Sequence, residues 1–141
     1  MSRNSLAVVA HAGPVADGKS LSAPHALSAL AALGQPTRLG IFQLLMRAEP
    51  DGRLAGSIAE DIGCPHNTLS SHLAILARAG LVRGTREGRA IIYRADVEGM
   101  RALLRYIVDD CCNGHPELCG LAPKAAGCGC GPTPKIGKRK R

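Results

Sequence analysis

The chain has 141 residues, a formal net charge of +7 and three aromatic side chains, Phe42, Tyr93 and Tyr106. That length suits one domain with loose ends, and a core so poor in large residues favours oligomerisation. No run of eighteen apolar residues occurs, and the short LAVVA stretch at residues 6–10 is too brief for an export signal, so membrane spans are excluded and a cytoplasmic protein is expected.

Residues 1–22 carry few large apolar side chains but include Gly13, Pro14 and Gly18, and are expected to form a flexible arm. The ordered domain is expected over residues 23–119. Ser22 caps a first helix in which Pro24 takes a first-turn place and Leu27, Leu30 and Leu33 recur at helical spacing until Gly34. Gln35-Pro36-Thr37 starts a second helix, with Ile41, Leu44, Leu45 and Ala48 on its apolar face and Pro50-Asp51-Gly52 as its stop. Leu54, Ile58 and Ile62 then mark one face of a third helix that ends at Gly63. Pro65 opens a fourth, where Leu69, Leu73 and Leu76 point one way and Gly80 ends the run. Two short helices joined by a glycine-containing turn form a helix-turn-helix pattern. Val82 and Ile91-Ile92-Tyr93 flank a polar loop, Thr85 to Arg89, and predict a β-hairpin. The expected fold is therefore mostly α with a β-hairpin wing, a winged helix-turn-helix.

The last helix, DVEGMRALLRYIVDDCC, carries Val97, Met100, Leu103, Leu104, Ile107, Val108, Cys111 and Cys112 as one stripe of period 3.6. This helix and the first are more apolar than one small domain can bury, so they are expected to form a homodimer interface. From Gly120 to Arg141, Gly, Pro and Lys predominate, and a flexible tail is expected. Five of the eighteen basic residues lie in its last seven positions, which suits either a polyanion or plain solubility.

The polar start of the fourth helix is the element that would enter a major groove. Asn67 suits adenine, while Thr68, Ser70, Ser71 and His72 stand in the same two turns. Arg78 could clamp a phosphate. Arg83, Arg86, Arg89 and Arg94 line the hairpin, with Arg86 and Arg89 at its tip for backbone or minor-groove contact. Singly, each of these residues reads as an ordinary cap or surface group. Their ordered combination points to double-stranded operator DNA.

The stretches ALGQPTRLGIFQLL, NTLSSHLAILARAGLV and REGRAIIYRAD resemble the ArsR/SmtB family of winged-helix metal-sensing repressors over residues 23–119. The resemblance implies a homodimer that binds an operator and releases it when a metal or metalloid binds. His72 falls in a stretch that the resemblance makes partly structural. The family's Cys-x-Cys arsenic site would fall on Leu54 and Gly56, and its interhelical zinc site on Asp96-Val97-Glu98 and Asp109 to Cys112. The first lacks both thiols and the second lacks its histidines. CCNGHPELC instead resembles the C-terminal cysteine site of arsenite-responsive members, with Cys111, Cys112 and Cys119 as the metal-site residues.

Chemistry supports that reading independently. Of six cysteines (Cys64, Cys111, Cys112, Cys119, Cys128 and Cys130), five crowd one end, which in a reducing compartment favours metal ligands or redox sensing over disulfides. Trivalent arsenic, as arsenite, is soft and takes three thiolates; antimonite or an organoarsenical would use the same donors. Asn113-Gly114 can turn the chain out of the helix, Pro116 stiffens the return and Cys119 supplies the third donor. The negative end of the helix dipole, with Asp109 and Asp110, should keep the thiols protonated at rest. Two alternatives stay open: a zinc or cadmium site that adds His115, and a redox pair of Cys119 with Cys111 or Cys112. Cys128 and Cys130 are secondary metal candidates, and Cys64 is expected to fill core space. No Cys-x-x-Cys, cofactor loop or acid-base constellation supports an enzyme.

Overall fold

In the computed structural model, residues 21–119 are described. The expected arm and tail, with Cys128, Cys130 and the basic terminal cluster, fall outside the described residues. Helix α1 (Ala23–Leu33) has Pro24 in its first turn, as expected. Ser22 stands at the N-cap position, but its hydroxyl pairs with His25 Nδ1 at 2.7 Å and gives the helix no side-chain cap. The inward face of α1 is made of Ala26, Ala29 and Ala32, while Leu27 is 66% exposed and Leu30 45% exposed. Small residues inside let α1 lie close to its own protomer and leave the leucines outward.

Helix α2 (Pro36–Arg47) is capped by Gln35, whose Oε1 accepts from Arg38 N at 2.8 Å. Arg38 also donates to the carbonyls of Ala32 (2.7 Å) and Ala31 (3.3 Å), tying the end of α1 to the start of α2. Ile41, Phe42 and Leu45 are its buried residues. Leu54, expected on the face of the third helix, lies instead in strand β1 (Arg53–Leu54), paired with Ile92 and 45% exposed. Its i+4 spacing to Ile58 is coincidental, because α3 spans Ala55–Ile62. Gly63 ends α3 in the left-handed region at φ 72°, where a glycine costs nothing and other residues are strained. Helix α4 (His66–Arg78) follows, with Pro65 one place outside it as N-cap. Leu69, Leu73 and Leu76 are buried as the spacing predicts.

Strands β2 (Val82–Glu87) and β3 (Ala90–Ala95) form the wing, and β1 adds on the other side of β3 to give the antiparallel order β1-β3-β2. The expected five-residue loop shrinks to a two-residue turn, Gly88-Arg89, because Glu87 pairs with Ala90. Gly88 at φ 63° supplies the positive φ that such tight hairpin turns need.

The last helix is not one continuous α-helix. Helix α5 (Val97–Tyr106) gives way to a π turn over Ile107–Cys111, in which Cys112 N–H bonds Ile107 O at 2.9 Å. The apolar stripe therefore splits. Leu103 and Val108 are buried within the protomer, Met100 and Ile107 pack on its core, and Leu104 and Val97 stay exposed. Val108 is thus not free to face a partner as the stripe implied. A short helical turn, α6 (Pro116–Cys119), returns against the π turn. The centre of the core is Ile41, Leu45, Ile58, Leu69, Leu76, Leu81 and Leu103, drawn from α2, α3, α4, α5 and the turn before β2. Each such side chain contributes about 1.5–3 kcal/mol of burial. Among the described residues, no helix is long and apolar enough to cross a membrane.

Candidate nucleic-acid interface and thiol site

The burial of Leu69 and Leu73 fixes which way α4 faces, and leaves Asn67, Thr68, Ser70 and Ser71 exposed on its first two turns. Ser70 Oγ donates to His66 O at 2.9 Å and Ser71 Oγ to Asn67 O at 3.2 Å. Their hydroxyl protons are thus held within the helix, and their oxygens face outward as acceptors. Asn67 Oδ1 accepts from Thr68 N at 2.9 Å, so its amide NH2 is the outward group. Pro65 has no side-chain acceptor, which explains why Asn67 satisfies an orphan N–H of the first turn. His72 is half-buried, with Nδ1 buried and unpaired among the described residues.

Arg78 lies in the last turn of α4, roughly 18 Å along the axis from His66 at 1.5 Å per residue. It is not brought together with the base-facing residues. Instead it lines an open cavity of about 410 Å³ with Ser28, Ala31, Ala32, Arg38, Ile75 and Ala79. On the wing, Arg94 donates to Pro50 O at 3.0 Å and pairs with Glu87 at 3.3 Å, while Arg83 lies 4.0 Å from Asp96. Arg94 thus ties β3 to the segment before β1 and to the turn end of β2, while Arg83 sits at the hairpin base beside Asp96. Arg86 and Arg89 are exposed towards the tip, Arg86 with Nε on Gly88 O at 3.3 Å. An exposed helix face rich in hydroxyl and amide groups beside a short basic hairpin can read base edges and phosphates together.

The thiols stand where the chain leaves α5. Cys111 is exposed at the end of the π turn and Cys112 is half-buried just after it; neither is in a disulfide. Asn113 (φ 53°) and Gly114 (φ 60°) both take left-handed conformations, and Gly114 N–H bonds Val108 O at 2.8 Å. The expected turn-out is therefore present in the backbone. His115 N–H then bonds Cys112 O at 3.2 Å, and Leu118 N–H bonds His115 O at 2.9 Å as α6 forms. The Cys119 side chain lies outside the described residues, as do Cys128 and Cys130. Among the described residues, no three His, Cys, Asp or Glu side chains form a ready-made metal cluster.

The Cys112 thiol pKa is pushed above its ordinary value, first by desolvation, then by the neighbouring Cys111 through charge and a hydrogen bond. That is the expected direction with a different cause.

A helix-turn-helix domain family matches residues 33–85. An uncharacterized HTH-type transcriptional regulator of Methanocaldococcus jannaschii is 38% identical over 79 residues, covering 56% of this chain and 73% of that one. An ArsR-like transcriptional regulator from Rhodococcus sp. RHA1 superposes with TM-score 0.58 at 26% identity, over 70% of this chain and 90% of that one. A homodimeric winged helix-turn-helix DNA-binding domain from Mycobacterium bovis, described as a possible ArsR-family regulator, is 31% identical with TM-score 0.51, over 67% and 83%. The chain belongs to the ArsR/SmtB family of winged helix-turn-helix transcriptional regulators. It spans 61% of the length of an uncharacterized HTH-type regulator of Mycobacterium tuberculosis, 35% identical over 72 residues and 51% of this chain. Within this ArsR/SmtB protein the match by family stops at residue 85, short of the thiol segment.

Proposed function

We propose that the protein is a homodimeric repressor that binds operator DNA and releases it when trivalent arsenic is captured by Cys111, Cys112 and Cys119. The observation that carries this reading is the paired thiols at the exit of α5, followed by a left-handed Asn113-Gly114 turn and a helical return to Cys119. That layout suits a small thiophilic ion better than a buried structural bridge, because two donors are adjacent and one is exposed. Resting protonation of Cys112 suits a receptor in which a high-affinity ion displaces protons, and is the reverse of what a fast nucleophile needs. Asn67, Thr68, Ser70 and Ser71 face the bases, and Arg86 and Arg89 the backbone or minor groove. Two reading helices in a dimer would meet half-sites ~34 Å apart.

An allosteric coupling of about 1–3 kcal/mol would weaken operator binding roughly 5- to 150-fold on loading. A mobility-shift titration of upstream DNA with arsenite, antimonite, zinc, cadmium and peroxide in parallel tests the reading. Release by arsenite or antimonite is expected, and a Cys111, Cys112 and Cys119 triple Ser variant should bind DNA but ignore both. Loss of DNA binding by that variant, or an intact response, sinks the assignment. A zinc or cadmium reading draws on His115, whose N–H on Cys112 O places it in the same loop. Release by zinc that disappears in His115→Ala would select it. A peroxide response with a new bond to Cys119 in mass spectra would select a redox switch.

A further inference from the structure

Helix α5 begins against the point where α4 ends. Gly80 closes α4 at φ 74°, its N–H on Ala77 O at 3.0 Å. Leu81 is fully buried; its N–H bonds Leu76 O at 3.0 Å and its carbonyl accepts from Asp96 N at 2.8 Å. Asp96 then caps α5 by accepting Gly99 N–H on Oδ1 at 3.0 Å, with Oδ2 4.0 Å from Arg83 Nε. Gly99 itself lies directly on the Gly80 peptide. A Cβ placed on Gly99 would stand 1.8 Å from Gly80 O and 2.9 Å from Gly80 C, so only hydrogen fits.

We infer that Asp96 and Gly99, acting through the Gly80-Leu81 turn, are positioning residues that set the pose of the reading helix for the helix that carries the thiols. This rests on the function proposed above for the identity of the ligand, but the contact exists without it. Elsewhere α5 meets the core through side chains, which can change rotamer and let a helix slide. Here backbone meets backbone, and no side chain can absorb a shift. Tilting α5 must therefore carry the Gly80 end of α4 with it, or break the Asp96 N–H to Leu81 O bond. Asn67 to Ser71 lie at the opposite end of α4, about three turns away. A small displacement at Gly80 is thus converted into a re-aiming of the base-facing groups. Packed interiors switch between discrete arrangements more readily than they deform, which suits such a joint.

The test uses the full-length protein, with arsenite as probe and operator affinity as readout, well below the melting temperature. Asp96→Ala adds no atoms and removes both side-chain links. Expected is a folded dimer that takes up arsenite with wild-type stoichiometry but binds operator at least fivefold more weakly without it, with a loaded-to-free ratio near one. Asp96→Asn, which can still accept from Gly99 N–H, should restore most of both. Gly99→Ala is the harsher companion and should resemble Asp96→Ala. Arg101→Ala, on the same helix but paired among the described residues with Glu98, should match wild type. A merely structural role would lower melting temperature while leaving the affinity and the ratio of the folded protein intact, and that result overturns the joint. If wild type itself ignores arsenite, the function proposed above fails alone, because the ligand-free affinities of Asp96→Ala and Asp96→Asn still decide for or against the joint.

Discussion

Ser70 and Ser71 show how an exposed side chain can be half committed before any ligand arrives. Their protons are spent on carbonyls one turn back, so outward they present oxygens suited to base amino groups, while Asn67 presents donors. Asn67→Ala should cost about 1–3 kcal/mol at one operator position and relax preference there, as read by competition with single-base variants. Arg89→Ala should instead weaken all sequences alike and reduce the salt slope by about one, as read from affinity against salt concentration. Cys112 adds a pH dependence. Its raised pKa means the folded chain holds this proton more tightly than the unfolded chain. The resulting stability is full below the ordinary thiol range and is lost as pH climbs through the raised value. As pH rises from neutral through the ordinary thiol range and beyond, the urea midpoint of wild type should fall more than that of Cys112→Ser. The polar face of α4 was legible from sequence because leucines at 69, 73 and 76 fix its orientation. The bracing role of Arg94 was not, since its partner Pro50 is forty-four residues away and meets it only in the folded chain.

At the level of elements, glycines and prolines marked nearly every boundary correctly, because helix ends demand conformations that few other residues accept. Gly63→Ala tests this directly. Among the described residues nothing crowds its Cβ position, so the cost should come from the left-handed backbone, about 1–2 kcal/mol in a denaturant titration. Two elements were misread for physical reasons. Leu54 satisfies both a helical i+4 spacing and a strand pairing, and only the tertiary partner Ile92 decides between them. The π turn over Ile107–Cys111 inserts one residue per turn, a change too small to disturb an apolar stripe read at period 3.6. Yet it is what divides Val108, turned inward, from the exposed Cys111. The exit of the thiol segment was readable from Asn113-Gly114, whereas Cys112's raised pKa comes first from desolvation and then from the neighbouring Cys111, and the desolvation exists only in the folded chain.

For the whole molecule, Leu27, Leu30, Val97 and Leu104 stand exposed on the first and last helices, and in the proposed homodimer they are the side chains a second copy would cover. A double variant, Leu27→Lys with Leu104→Glu, should shift the protein towards monomer in analytical ultracentrifugation and lower operator affinity at least tenfold. Its helical content should be unchanged, because neither side chain lies in the protomer's core. For the same reason the wild-type melting temperature should rise with protein concentration.

The trio Ala26, Ala29 and Ala32 has a geometric corollary. With the fully buried face of α1 made of methyl groups, the thickness of that layer would act as a spacer between the two halves of the proposed dimer. Enlarging Ala29 to Val would push α1 outward and set the halves wider apart. Operators lengthened by one base pair, ~3.4 Å of rise, should then compete better against the natural spacing than they do for the parent protein.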